Sequence, residues 1–151
     1  HQMSPAGAPT LRAEAEKLLK LCADASTRMR VAARPDLFSS PELASAFERA
    51  GWFAPRVDRA PVFNKATLLH AIYQSCEFPA WFGFNWDALR DSLSDMSWRP
   101  ANGYALLYRN PGLLQTRSPD DYATFIDVAQ EACEIWAEAS GVPFRLILMA
   151  S

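Results

Sequence analysis

Apolar residues recur at helical spacing in two stretches near the start of the chain. From Thr10 they repeat every three or four positions as far as Ala25, which predicts one amphipathic helix. The sequence Ser40-Pro41-Glu42 offers an N-cap, a proline at the first helical position and an acid in the first turn, so it predicts a short helix that ends at Gly51. Residues 1–9 contain prolines, glycine and serine, and we expect them to be disordered.

The rest of the chain alternates predicted strands with predicted helices. The elements in order are strand Trp52–Val57, limited by Pro55 to an edge or a bulge, helix Lys65–Cys76, a helix from Asn85 to before Pro100, strand Gly103–Tyr108, a long helix between Ser118 and Gly141, and strand Phe144–Met149. This order predicts an α/β fold in which helices pack on a small three-stranded parallel sheet. We assign residues 51–151 to this domain and residues 1–50 to an N-terminal helical extension.

Composition fits one ordinary globular domain. The chain has 151 residues, half of them apolar, and three cysteines that form no Cys-x-x-Cys pair, so we expect buried, reduced thiols. The longest stretches without Asp, Glu, Lys or Arg have eleven residues, whereas a membrane-spanning helix needs about 20 apolar ones. The first residues also lack the pattern of a secretion signal, and we expect a cytoplasmic protein.

Charge is distributed unevenly between the two parts of the chain. Residues 1–57 carry 8 basic and 6 acidic side chains, and residues 58–151 carry 7 and 11. An acidic surface disfavours nucleic-acid binding, which depends on displacing counterions from phosphates. The balance favours a cationic protein as partner.

A cluster of aromatic residues precedes an acidic helix. Five of the 18 aromatic residues fall between Phe78 and Trp86. In the helix that follows, Trp86, Leu89, Leu93 and Met96 lie within about 80 degrees of one another, and Asp87, Asp91 and Asp95 lie within about 80 degrees on the opposite side. The apolar stripe is expected to face the core, so the carboxylates face outward with Arg90 at one flank.

The row of carboxylates permits two interpretations. Acidic residues are common on solvated helix faces. However, like charges at positions i and i+4 repel by a few tenths of a kcal/mol, and Asp95 lies where the helix dipole opposes a negative charge. A ribonuclease active site, built from cationic side chains that hold phosphates, is a fitting partner for such a row.

The segment FPAWFGFNWDALRDSL, from Phe78 to Leu93, resembles the signature of the barstar family, intracellular bacterial inhibitors of the ribonuclease barnase. The order of elements from about Gly51 onward is similar to that family, whereas the first 50 residues have no counterpart in it. The resemblance implies a protein without catalytic activity that blocks a nuclease active site. It also implies that the partner is a basic protein, such as an extracellular or toxin-type ribonuclease.

The resemblance further implies a role for each residue of the segment. Asp87 and Asp91 would be the principal anchors, and Asp95 and Met96 would lie at the rim. The contact loop would consist of Trp81, Phe82, Asn85 and Trp86. Arg90 stands where the family has an aromatic residue, and Trp136 stands where it has a glutamate, so we expect a nuclease other than barnase with an acid near Arg90.

Two other functions are compatible with the sequence. The pair Asp87 and Asp91 could bind Mg²⁺ and act on phosphates, although there is no second carboxylate pair, glycine-rich phosphate loop or histidine cluster. An adaptor of the same fold could bind another protein through the same aromatic loop. We expect no enzyme activity, catalytic residue, metal or cofactor.

Overall fold

A computed structural model of the chain describes residues 10–58 and 61–150, so the predicted disorder of residues 1–9 concerns residues outside the described part. The helices are α1 Leu11–Ala23, α2 Pro41–Arg49, α3 Lys65–Cys76, α4 Trp86–Ser94, α5 Gly112–Arg117 and α6 Pro119–Ala139. The strands are β1 Arg30–Ala32, β2 Trp52–Phe53, β3 Arg56–Val57, β4 Gly103–Arg109 and β5 Phe144–Met149. The predicted α/β class with a parallel sheet is confirmed.

The sheet has five strands among the described residues, and the prediction of three strands is wrong. The strand order is β1-β5-β4-β2, with β3 also paired to β4, and every pairing is parallel. The predicted strand Trp52–Val57 is divided at Ala54 and Pro55, since proline has no backbone N–H for a ladder. The additional strand, β1, lies between the two N-terminal helices, where the sequence predicted no strand.

Helices cover both faces of the sheet. Helices α1 and α2 pack on one face around Leu43, Phe47 and Ile147, and α3, α4 and α6 pack on the other around Leu68, Leu89 and Phe144. The central strands β4 and β5 are therefore buried on both sides, as their nearly continuous apolar sequences require. The first 50 residues thus contribute a strand and one helical layer. The division of the chain into an extension and a domain at residue 50 stays a prediction.

The cysteines are free thiols, of which Cys22 and Cys76 are buried and Cys133 is half-buried, so the expectation of burial is wrong for Cys133. In the described residues, no helix combines the length and the apolar character needed to cross a membrane.

Candidate functional site

The loop between α3 and α4 has an inner and an outer row of aromatic rings. Phe78 and Phe82 point inward with centroids 5.0 Å apart, and Tyr73 of α3 stacks on Phe82 at 5.8 Å. Phe82 is only 4% exposed, so it supports the loop from beneath, although the sequence placed it in the contact loop. Trp81, in contrast, is 77% exposed.

Asn85 fixes the start of α4. Its side-chain oxygen accepts a hydrogen bond from the Ala88 backbone N–H at 2.7 Å, and its side-chain amide donates to the Gly83 carbonyl at 3.2 Å. The first bond satisfies one of the N–H groups that a helix leaves free at its N-terminus. Phe84, just before the cap, has φ of +50°, so the chain turns sharply where the helix begins.

The two sides of α4 differ in burial as the helical spacing predicts. Leu89 and Leu93 are fully buried. Met96 is buried just beyond the helix end, so the rim position that the resemblance implied for it is wrong. The other side carries Asp87, Asp91 and Asp95, which are all exposed. Their charges are therefore presented to solvent and available to a partner.

Arg90 lies between the carboxylates and is half-buried. Its guanidinium donates to the Asp87 carboxylate at 2.9 Å and lies 3.7 Å from Glu131 of α6. The Asp87 side chain stays 81% exposed in this pair, and such surface pairs contribute about 0–1 kcal/mol to stability. For Asp91 and Asp95 no salt bridge is found among the described residues.

Helix α6 extends the acidic surface of α4. The two helices pack against each other, and α6 contains six acidic side chains and no basic one. Together with Asp87, Asp91 and Asp95 they make nine carboxylates, against the single basic side chain of Arg90. Lys65 of α3 lies beside Trp86, and even with this second cation the acidic side chains on this side of the molecule outnumber the basic ones.

Trp136 connects α6 to the end of α4. Its indole N–H donates to the Leu93 carbonyl at 2.7 Å, and its ring lies on Tyr104 of β4 with centroids 4.8 Å apart. The Leu93 carbonyl belongs to the last turn of α4. A carbonyl at this position has no hydrogen-bond partner within the helix itself. The apolar periodicity of α6 placed Trp136 on the packed side but gave no sign of this bond.

The remaining loop residues are partly shielded. Trp86 is half-buried against the core, and the Lys65 ammonium group lies 5.7 Å from its ring centroid. Trp98, which the sequence analysis did not select, is 36% exposed and contacts Phe78 with centroids 5.8 Å apart. The structure thus brings the predicted residues together around one loop and helix and adds Trp98 to them.

The arrangement of the carboxylates also bears on the alternative of a metal site. Within residues 10–58 and 61–150, no three His, Cys, Asp or Glu side chains converge in a way that could hold a metal ion. The carboxylates of α4 lie on the exposed side of the helix, opposite its buried stripe. This arrangement suits contact with another macromolecule.

Comparison with known proteins identifies the family of this chain. The search of curated proteins finds no match. One matching solved structure is that of the Aeropyrum pernix ORC2 protein in ADPNP-ADP complexes. It matches with a TM-score of 0.59 and 15% sequence identity. The match covers 99% of this chain and 43% of that chain, and at this identity it shows a shared fold alone.

The family model described as Barstar (barnase inhibitor) matches residues 52–149. The matched region includes the aromatic loop, α4 and α6, and the resemblance noted in the sequence is thereby confirmed. The chain belongs to the Barstar (barnase inhibitor) family.

Proposed function

We propose that this chain is a protein inhibitor of a ribonuclease and that α4 and the loop before it cover the active site of the enzyme. The observation that carries the proposal is the outward row Asp87, Asp91 and Asp95 beside the exposed Trp81. Carboxylates held at helical spacing can occupy positions at which a nuclease binds successive phosphates. Membership of the Barstar family supports the same conclusion.

The partner in this proposal is a basic protein, an extracellular or toxin-type ribonuclease. The nine carboxylates of α4, its C-cap and α6 would steer a cationic surface toward this side of the molecule. The inhibitor would act in the cytoplasm of the bacterium that makes the nuclease, as an immunity protein. It would use no metal or cofactor and would have no enzyme activity of its own.

Asp91 is the side chain on which inhibition would depend most. Asp87 already shares its charge with Arg90, whereas Asp91 has no salt-bridge partner among the described residues. Losing one member of a charge pair buried in an interface costs roughly 2–5 kcal/mol of binding. Asp91→Ala should therefore weaken inhibition by about 30-fold or more, while thermal stability stays the same or rises slightly because repulsion from Asp87 and Asp95 is relieved.

The test measures RNA cleavage by barnase and by other basic secreted ribonucleases while the protein is titrated in. At least one enzyme should be inhibited, with an association rate that falls as salt is added. Glu48→Ala is the matched control, since it also removes one exposed carboxylate but lies on α2, in the layer behind the sheet. Absence of inhibition across the panel, or equal inhibition by the Asp91→Ala variant and the parent, would contradict the proposal.

A further inference from the structure

Three exposed aromatic rings lie in the loop that precedes α4 or pack against it. Trp81, Phe84 and Trp98 account for three of the six large hydrophobic side chains that are exposed among the described residues. We call these three rings the aromatic surface. Exposed apolar side chains scattered singly are ordinary, but three together next to a charged row indicate a binding surface.

One buried aromatic cluster supports two of these rings. The Phe84 ring lies 4.9 Å from Phe82, and the Trp98 ring lies 5.8 Å from Phe78. Phe78 and Phe82 touch each other, with ring centroids 5.0 Å apart. Rings held in this way lose little conformational freedom when a partner binds, which lowers the entropic cost of the contact.

The chain after α4 places Trp98 three residues beyond Asp95 in a hydrogen-bonded turn. The Ser97 N–H donates to the Asp95 side chain at 3.2 Å, and the Arg99 N–H donates to the Met96 carbonyl at 2.9 Å. The Tyr104 hydroxyl also donates to the Arg99 carbonyl at 2.7 Å. Asp95 and Trp98 therefore belong to a single hydrogen-bonded turn.

Neither tryptophan of the aromatic surface is paired with an Arg or Lys side chain of the described residues. Elsewhere the molecule pairs cations with rings, with Arg99 lying 4.2 Å from the Phe53 centroid and Lys65 lying 5.7 Å from the Trp86 centroid. Of the four cation–ring contacts in the described part of the chain, none involves the aromatic surface. Phe84 already packs against His70 and Tyr73, with ring centroids 4.8 and 4.9 Å apart, so Trp81 and Trp98 are the rings of this surface that are left for a cation from outside.

We propose that the aromatic surface binds arginine side chains of the basic partner, each guanidinium stacking on a ring while it pairs with a nearby carboxylate. Asp95 would serve the guanidinium on Trp98. Arginine fits better than lysine because its planar, weakly hydrated group can stack on a ring and donate to a carboxylate at the same time. The inference rests on the proposed function for the identity of the partner, but the preference for arginine can be measured without a nuclease.

The test uses fluorescein-labelled hexa-arginine and hexa-lysine, which carry the same charge, and measures binding to the whole protein by fluorescence anisotropy. Hexa-arginine should bind at least two- to fivefold more tightly, because a cation–π contact at an exposed site is worth about 0.5–1 kcal/mol. Trp98→Leu, which keeps an apolar side chain, should weaken hexa-arginine binding about two- to fivefold and affect hexa-lysine less. Trp98→Phe should retain most of the affinity for hexa-arginine.

Leu21→Ala is the control, because Leu21 is also an exposed hydrophobic side chain but lies on α1, in the other helical layer. Equal affinity for the two peptides, no binding of either, or full arginine preference in Trp98→Leu would overturn the inference. Selective arginine binding without inhibition of any ribonuclease would overturn the proposed function only. Inhibition that depends on Asp91 but not on Trp98 would overturn this inference only.

Discussion

At the scale of single residues, the acidic site depends on groups that carry no charge themselves. Asn85 closes the first turn of α4 by accepting the Ala88 N–H, and Asp87 lies within that same turn. If the cap is lost, the first turn frays and the Asp87 carboxylate no longer has a fixed position relative to Asp91.

Replacement of the cap tests this dependence. Asn85→Ala should lower the free energy of unfolding by about 1 kcal/mol, and Asn85→Asp should keep most of it because aspartate also accepts the capping bond. Urea denaturation of the parent and both variants measures the difference. Equal stability of the parent and Asn85→Ala would show that the capping bond contributes nothing.

Burial of the Cys22 thiol makes stability depend on pH at the alkaline end. Removal from water raises the pKa of Cys22 from its ordinary value of 9.0 to about 12, and the nearby Arg145 opposes the rise only in part. The unfolded chain releases the thiol proton near pH 9, whereas the folded chain keeps it until about pH 12. The free energy of unfolding should therefore be constant with respect to this group below pH 9 and fall between pH 9 and 12.

Urea denaturation of the parent and of Cys22→Ala between pH 7 and 10.5 measures this effect. The variant should lose stability less steeply above pH 9, and the two slopes should agree below pH 8. Parallel curves over the whole range would mean that the folded thiol titrates normally.

The sequence predicts side-chain exposure well where a helix decides it and poorly in loops. Asp87, Asp91 and Asp95 are outward because the helical period relates them to the buried Leu89 and its neighbours. Trp81 and Phe82 are adjacent aromatic residues within one turn, which the Phe82 N–H closes on the Pro79 carbonyl. Only this turn makes Trp81 exposed and Phe82 buried. No periodic pattern carries that information.

At the scale of elements, α4 is held at both ends by side chains. Asn85 caps its beginning, and the Trp136 indole of α6 caps its end through the Leu93 carbonyl. Between these points Arg90 approaches Glu131 of α6. The acidic face of α4 is thus fixed relative to the acidic face of α6.

Trp136→Phe should remove the second of these caps. The Leu93 carbonyl would lose its partner, which costs about 1–3 kcal/mol for a shielded group. Amide hydrogen exchange should become faster in the last turn of α4, whereas exchange in β4 and β5 should change only as global stability does. Ile135→Ala, a change at an exposed neighbour on the same helix, is the control, and identical exchange in the two variants would contradict the prediction.

Elements with strong periodicity were predicted at their true bounds. Helix Lys65–Cys76 and strand Phe144–Met149 are examples. The three-residue strand β1 was missed because only Val31 is buried in it and its pairing partner lies more than 100 residues away. The short helix Gly112–Arg117 was also missed, since six residues give too little periodicity to distinguish a helix from a turn.

At the scale of the whole molecule, the buried Arg145 joins the first helical layer to the centre of the sheet. From β5 its guanidinium donates to the Cys22 carbonyl at 3.1 Å and to the Asp24 carbonyl at 3.0 Å, both at the C-terminal end of α1. These bonds satisfy carbonyls that the end of α1 leaves free, and they place a cation where the helix dipole favours one. Residues outside the matched family region are in this way connected to a strand inside it.

Arg145→Met should remove the hydrogen bonds that attach the end of α1 to β5. Hydrogen bonds from charged groups contribute roughly 1.5–3 kcal/mol each, so we expect a loss of at least 2 kcal/mol in the free energy of unfolding. Limited proteolysis should cut first between residues 24 and 28 in the variant. Arg30→Met, which replaces an exposed arginine on the neighbouring strand, should leave both measurements unchanged, and an Arg145→Met variant as stable and resistant as the parent would contradict the role assigned to Arg145.

The position of β5 between β1 and β4 determines the order in which the strands of the sheet can pair. Every other strand is synthesised before β5, yet β1 and β4 have no contact with each other in the sheet except through it. During translation β4 can pair with β2 and β3 as soon as they are made, whereas β1 has no partner in the sheet until β5 has been synthesised. The pairing of β1 with β5 would then complete the sheet last, and it joins the first strand of the described chain to its final one.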